Sequence, residues 1–397
     1  MVRVGRMQKK ARVKRIRKAA PNRLTGTAAK RRVVRVRLVA CAIMAAVCLL
    51  LVLLRFLPNG AFFKVYTPWS RFISGFVGFL FSFAPFSRGE FVLWGVVLSF
   101  VGRLIYVVVL SFRRTDGRQR WPRFLADLLT TAVSLLTAFI VFWGLQYYAP
   151  KAEALMRLDI KPRSQQELTD AAIWFARQAS AAATLCAADE NGALQAGGFR
   201  DMARLSADSV AQMKEITGLF VGAIVSPPKR VTGHIFMSYF HIAGIYNPFT
   251  GEGNVSPMEA DTFLLFSMTH ELAHRLGAAP EDDANFLAYL ALASSESPEA
   301  RYSGAVNAFL YCAREIEDPD NAALAWNEMP PMVYEDFKAR ADMAKKLNLN
   351  PKIEEVTSAV GQASNDTYLK TMGQQDGVKS YNRVTDLLLA YYEKTAM

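Results

Sequence analysis

Three apolar stretches, each long enough to cross a bilayer, constrain this chain more than anything else in it. A helix needs about 20 apolar residues to span the hydrocarbon core. The stretches run over 38–57, 91–112 and 125–147. The second contains a charge, Arg103, which reads equally as a functional intramembrane group or as a side chain that snorkels from a helix break. The third ends in Trp143, Tyr147 and Tyr148, residues expected in the aromatic belt where lipid meets water. A fourth apolar stretch, 72–86, is short and rich in Gly, Ser and Pro. It reads as interfacial or re-entrant rather than as a span.

The formal net charge of +12 is a local property. The segment up to Arg37 is dense in Lys and Arg and has no Asp or Glu, and the remainder is slightly acidic. A basic arm can bind nucleic acid, but this one runs directly into an apolar span, where Lys and Arg fix membrane orientation. No nucleic-acid partner is expected, and contact with anionic lipids is a by-product. The arm is too long for a signal peptide and no small-residue cleavage site follows, so the first span reads as an anchor. The connection between the second and third spans is also basic (Arg113, Arg114, Arg118, Arg120, Arg123), whereas 58–90 is poor in Lys and Arg. The positive-inside rule then makes 1–37 a cytoplasmic tail, 38–149 a membrane domain and 150–397 an extracytoplasmic domain. The four cysteines show no C-x-x-C spacing, which argues against a zinc ribbon or a redox pair. Cys186 and Cys312 are expected as buried free thiols, a disulfide being the alternative.

Beyond residue 150 the pattern is that of a mainly helical soluble domain. Helical periodicity covers 167–187 and 199–220. Residues 230–247 are rich in β-branched and aromatic side chains and predict one or two strands. Thr250-Gly251-Glu252-Gly253-Asn254 predicts a turn. Met237–Tyr246 is a candidate edge strand for an extended peptide, with a plain structural hairpin as the equal alternative.

Within this domain stands His270-Glu271-Leu272-Ala273-His274. Ser256-Pro257-Met258-Glu259 predicts the start of its helix, with Ser256 as N-cap and Glu259 completing a capping box, and Gly277 predicts its end. Residues i and i+4 share a helix face, so His270 and His274 can both reach one Zn²⁺ at about 2.0–2.1 Å. Glu271, rotated by about 100°, is placed to act as base on a water at the metal. Two of the chain's four histidines lie here. Catalytic zinc takes three protein ligands. The position six beyond His274 is Pro280, so the third histidine of the longer motif is missing. Pro280 opens a second helix in which Glu281 is the first choice as third ligand and Asp283 the reserve. Asn285 is placed to hydrogen-bond a ligand from behind. Tyr381 and His241 are candidate donors to a developing oxyanion, with Tyr381 preferred, and His234 reads as structural.

The stretches Gly244–Val255, Thr269–His274, Glu281–Leu290, Asn365–Lys370 and Gly377–Val384 together resemble a bacterial membrane-protein family defined only as a domain of unknown function, with three N-terminal spans and an HELAH domain. More distantly, H-E-x-x-H followed by E-x-x-A-N resembles the H-E-x-x-H and E-x-x-A-D of gluzincin membrane peptidases of the heat-shock and prenyl-protein protease type. That resemblance implies His270, His274 and Glu281 as zinc ligands, Glu271 as base and Asn285 as a hydrogen-bond partner behind a ligand. It departs from the pattern in having Asn285 for the usual Asp and a much shorter gap between His274 and Glu281. The expected fold is mainly α: three transmembrane helices followed by a helical zincin-like domain of gluzincin type with a small β element. The expected function is zinc-dependent hydrolysis of peptide or protein substrates at the outer face of the bacterial cytoplasmic membrane. A non-catalytic receptor or scaffold with a structural metal is the alternative.

Overall fold

A computed structural model describes residues 23–113, 120–220, 222–372 and 383–396. Tyr381 lies outside the described residues. The chain divides into two compact units, one built from 1–51 and 95–138, the other from 52–94 and 139–397.

The first four helices are α1 (Arg23–Leu54), α2 (Ala61–Leu80), α3 (Arg88–Arg113) and α4 (Trp121–Phe142). Three segments, Arg31–Leu54, Arg88–Phe112 and Trp121–Phe142, are long and apolar enough to cross a membrane, and they mark the chain as a membrane protein. Residues 72–86 are not an isolated short segment: their first part belongs to the continuous 20-residue helix α2. In the first unit, Asp127 on α4 pairs with Arg37 of α1 and, at 3.7 Å, with Arg103 of α3. Arg103 is thus one arm of a charge cluster. Below it, the Cys41 thiol donates to Thr130 Oγ1 (3.6 Å) and the Cys48 thiol to Thr137 Oγ1 (3.4 Å). These contacts repeat one heptad apart on α1 and α4, as expected where polar side chains glue apolar helices.

The third span stops at Phe142, earlier than its hydropathy predicts. Trp143 leaves the helix (φ −141°, ψ −52°) and Gly144–Tyr148 forms a 3₁₀ turn. Trp143 and Tyr147 are buried, so only Tyr148 keeps the exposure expected of an interfacial belt. The two rings turn inward because Tyr246 and Ala279 give them an apolar surface to pack on.

The second unit continues with α5 (Ala152–Met156), α6 (Gln165–Ala183) and α7 (Phe199–Thr217), then β1 (Lys229–Arg230), α8 (His234–Tyr239), β2 (Gly244–Asn247) and β3 (Glu252–Val255). The helices α9 (Asp261–Arg275), α10 (Glu281–Ala293), α11 (Pro298–Ala313), α12 (Pro319–Asn327), α13 (Met332–Leu347), α14 (Pro351–Thr371) and α15 (Arg383–Ala396) complete it. A capping box between Ser164 and Glu167 starts α6, and Gly218 in the left-handed region ends α7. The core is formed by α6, α7, α9, α10, α11 and α15. Buried Asp336 of α13 accepts from Thr262 Oγ1 (2.8 Å), Tyr302 OH (2.7 Å) and Leu194 N (2.8 Å), which ties α9, α11 and α13 together. Cys186 and Cys312 are free thiols.

Three local expectations need correction. Residues 230–247 carry the end of β1 and all of β2, as expected, but 237–246 is not one edge strand or hairpin: the short helix α8 takes its first part, and the apolar side chains Ile235 and Phe236 stay exposed. Glu252-Gly253-Asn254 is not turn but strand, the centre of a sheet of order β1-β3-β2. Ser256 does not cap the metal-motif helix. Its N–H donates to Ala243 O (2.8 Å) and extends the β2–β3 ladder, so α9 begins only at Asp261, whose carboxylate accepts from Ala196 N (2.9 Å).

Asp127→Ala would leave two arginines without their anion between apolar helices, a loss of about 3 kcal/mol for a pair of this kind. A lower thermal midpoint in detergent is expected, with Asp127→Asn in between. An unchanged midpoint would show that the cluster does not hold the three helices.

Candidate metal centre

The centre is made by one helix, one turn and the start of the next helix. Along α9, His270 and His274 share a face, with ring centroids 4.6 Å apart at 84°. The helix ends at Arg275. Gly277, at φ +97°, reverses the chain: its N–H donates to His274 O (2.8 Å) and Ala278 N to Ala273 O (3.2 Å). A side chain at 277 would be strained there and would also crowd Gln146 and Arg71. The reversal brings Ala278 O within 2.7 Å of His274 Nδ1. A carbonyl only accepts, so Nδ1 carries the proton and Nε2 presents its lone pair. Three residues on, Pro280 starts α10 and sets Glu281 opposite both rings, 3.3 Å from His270 Nε2 and 3.6 Å from His274 Nε2.

One ligand atom from each of His270, His274 and Glu281 lies within 4.8 Å of the others. The electrostatics suit a cation. Burial pushes His274 down to about 4 and keeps it neutral. Burial alone would raise Glu281, but the His274 and His270 imidazoles outweigh it and hold the carboxyl down at about 2. His270 is drawn upward by Glu281 against the opposing effect of burial. His274, neutral with Nε2 free, and ionised Glu281 are in the donor states a metal requires, whereas His270 would give up its proton as the ion binds. An N,N,O set fits zinc, with its preference for imidazole and carboxylate at three protein positions. A backbone carbonyl on the far nitrogen of His274 is the support such ligands carry.

Glu271 lies on the adjoining face, 4% exposed. The sheet covers it: a Cβ on Gly244 would collide with its carboxylate, and one on Gly253 would come within 3.0 Å of its own Cβ. Bare glycine backbone from β2 and β3 is what lets the sheet lie directly on the motif helix. Burial, with Glu281 adding to it, pushes the Glu271 carboxyl up to about 8, and Oε2 has no partner among the described residues.

The structure separates the remaining candidates. Asp283 is not in the cluster, because its Oδ1 accepts from Ala152 N (3.2 Å). Asn285 stands beside the His270 ring, and its buried Nδ2 has no partner among the described residues. His241 is turned to Glu354 of α14 at 3.4 Å, away from the cluster. His234 is not part of it either. Sequence reasoning missed three aromatic residues. Trp143 sets its ring 6.1 Å from His274 and 4.6 Å from Tyr246. The Tyr147 hydroxyl donates to Tyr368 OH (3.0 Å), and Tyr368 is close enough to feel the charge of Glu281. Tyr368 falls in the motif stretch 365–370, so the signal was present, but its packing partner is far away in sequence.

A family model described as "Protein of unknown function (DUF3810)" matches residues 66–389. No curated protein and no solved structure matches the chain.

Gly244→Ala is expected to displace the sheet or Glu271 and to cost about 1–3 kcal/mol, as overpacking does. The smaller clash of Gly253→Ala should cost less. Thermal unfolding of the full chain in detergent reads both, and midpoints equal to the parent would contradict the close sheet–helix contact.

Proposed function

We propose, for a chain that belongs to the DUF3810 family of proteins of unknown function, that it is a membrane-anchored zinc-dependent metallohydrolase acting as a peptidase. The observation that carries this reading is the convergence of His270, His274 and Glu281 within 4.8 Å, with the buried carboxyl of Glu271 beside them. A structural site has no use for that carboxyl. Zinc bound there supplies a Lewis acid and a water of lowered pKa. His270, His274 and Glu281 hold the ion. Glu271 takes the proton of the attacking water and delivers it to the leaving amine, and a carboxyl raised towards neutrality by burial is suited to both halves of that transfer. In the three-stranded order β1-β3-β2 the outer edge of β2 has no strand beside it among the described residues. An extended peptide pairing there lies over Glu271, with Ile245 exposed alongside. With Tyr381 outside the described residues and His241 turned to Glu354, Tyr368, whose hydroxyl meets that of Tyr147 and senses Glu281, is taken as the candidate oxyanion donor.

In this reading the basic tail is cytoplasmic and touches anionic lipid, and residues 150–397 work outside the cytoplasmic membrane on peptide or protein substrates. The test is metal content together with peptide hydrolysis for the full chain in detergent. About one zinc per chain is expected, lost in His270→Ala and in His274→Ala. Glu271→Gln should keep the zinc and lose about 10²–10⁴-fold in turnover. Folded protein that takes up no zinc when it is supplied would overturn the reading. Zinc held without hydrolysis of any peptide in a broad library would move it to the receptor or scaffold.

A further inference from the structure

Helix α2 is built inside out for a helix in water. Its inward face carries Phe63 and Tyr66 in the first two turns and from there Thr67, Ser70, Ser74, Gly75 and Gly78, all buried. Its outward face carries Val65, Trp69, Phe72, Phe76 and Phe79, spaced alternately four and three residues apart and exposed by between 41% at Trp69 and 73% at Val65. This spacing is one continuous helix face. In a water-soluble helix the aromatic stripe packs inward and the serines face solvent. The reverse order belongs to segments whose outer solvent is hydrocarbon, where small residues make the helix contacts.

The inner contacts are tight and specific. Ser70 Oγ donates to Phe142 O (2.5 Å) at the last residue of the third span, Arg71 Nε to Leu276 O (2.5 Å), and Arg275 Nη2 to Gly75 O (2.9 Å). Gly78 lies directly under Arg275 and Gly251. The cations of α2 leave the stripe clear: Arg71 turns inward, and Lys64 sits in the first turn, where its stem can reach a head group. No acidic residue occurs in the helix. The chain also ties both ends to membrane. α2 follows the span Arg31–Leu54 after residues 55–60 and precedes the span Arg88–Phe112 by residues 81–87. A connection of that length reaches at most about 25 Å when fully extended, so the helix cannot leave the bilayer surface.

We propose that α2 is a membrane-embedded helix whose Val65–Trp69–Phe72–Phe76–Phe79 face is immersed in lipid at the head-group boundary, and that through Arg71 it holds the end of the metal-motif helix against the membrane. The occupant of the stripe is lipid. Two short tethers to spans, the uncharged aromatic stripe and the polar inner face each point to it, whereas a water-facing stripe of this kind is an aggregation liability. This inference stands independently of whether zinc binds.

The experiment places a nitroxide at Phe72→Cys, at Phe76→Cys and, as an aqueous reference, at Leu324→Cys. The full chain carries these with its four native cysteines replaced, in phosphatidylcholine–phosphatidylglycerol vesicles formed in the presence of the relaxation reagents. At 72 and 76, oxygen should relax the label at least several-fold more strongly than a water-soluble nickel chelate, with the order reversed at 324. Chelate-dominated relaxation at 72 and 76 would overturn the proposal in favour of water, and shielding from both reagents would overturn it in favour of a protein partner such as a second copy. A second arm keeps the native cysteines. Trp69→Phe in vesicles of dibrominated phosphatidylcholine should lower the fraction of tryptophan emission that the lipid quenches. A rise in that fraction would contradict a lipid-facing Trp69.

Discussion

The hydrogen bond between His274 Nδ1 and Ala278 O, 2.7 Å long, is the contact on which the rest of the centre depends. It forms only because Gly277 takes a positive φ and folds the chain back on its own helix. One reversal therefore does three things. It ends α9, it turns the lone pair of His274 Nε2 towards the cluster, and it starts α10 where Glu281 meets both imidazoles. A non-glycine residue at 277 would strain the backbone and press on Gln146 and Arg71, so the turn is also the point at which the centre touches the segments next to the spans.

Two layers close around this turn. The sheet lies on the far side of the motif helix, with glycines at 244 and 253 so that bare backbone rests on Glu271. Beside the sheet stand Trp143, one residue past the third span and packed on Tyr246 of β2, and Tyr147 with its partner Tyr368. Arg71 of α2 donates Nε to Leu276 O, at the end of the motif helix, with its guanidinium 4.5 Å from the centroid of the Phe220 ring. The chemistry-bearing side chains are thus held by the segments that flank the spans, and a soluble fragment starting at residue 150 would lack Trp143, Tyr147 and Arg71.

The sequence was most legible where the geometry is local. The i, i+4 histidine pair and the carboxyl of Glu271 between them follow from helix periodicity alone, and the place of Glu281 beside both rings follows from a short connection punctuated by Gly277 and Pro280. The apolar spans were legible because about 20 residues of hydrocarbon have few other destinations. Expectation failed where tertiary pairing decided the outcome. Ser256 looks like a cap, but its N–H is taken by the sheet. Trp143 and Tyr147 look like belt residues, but Tyr246 and Ala279 give them a buried site. Asp283 looks like a ligand next door to Glu281, but it is one face round the helix and serves the start of α5. His241 has a suitable side chain for an oxyanion donor, and its contact with Glu354 at 3.4 Å takes it elsewhere. None of these outcomes leaves a mark within a few residues of the position concerned.

Zinc-edge X-ray absorption on the full chain in detergent tests the central claim most directly. Two histidines and a carboxylate from one turn predict a shell of light atoms at about 2.0–2.1 Å with the multiple scattering of two imidazoles, and no bound-zinc signal in His274→Ala, which loses the ion. A sulfur shell at about 2.3 Å, or a spectrum that does not change when His274 is removed, would contradict it.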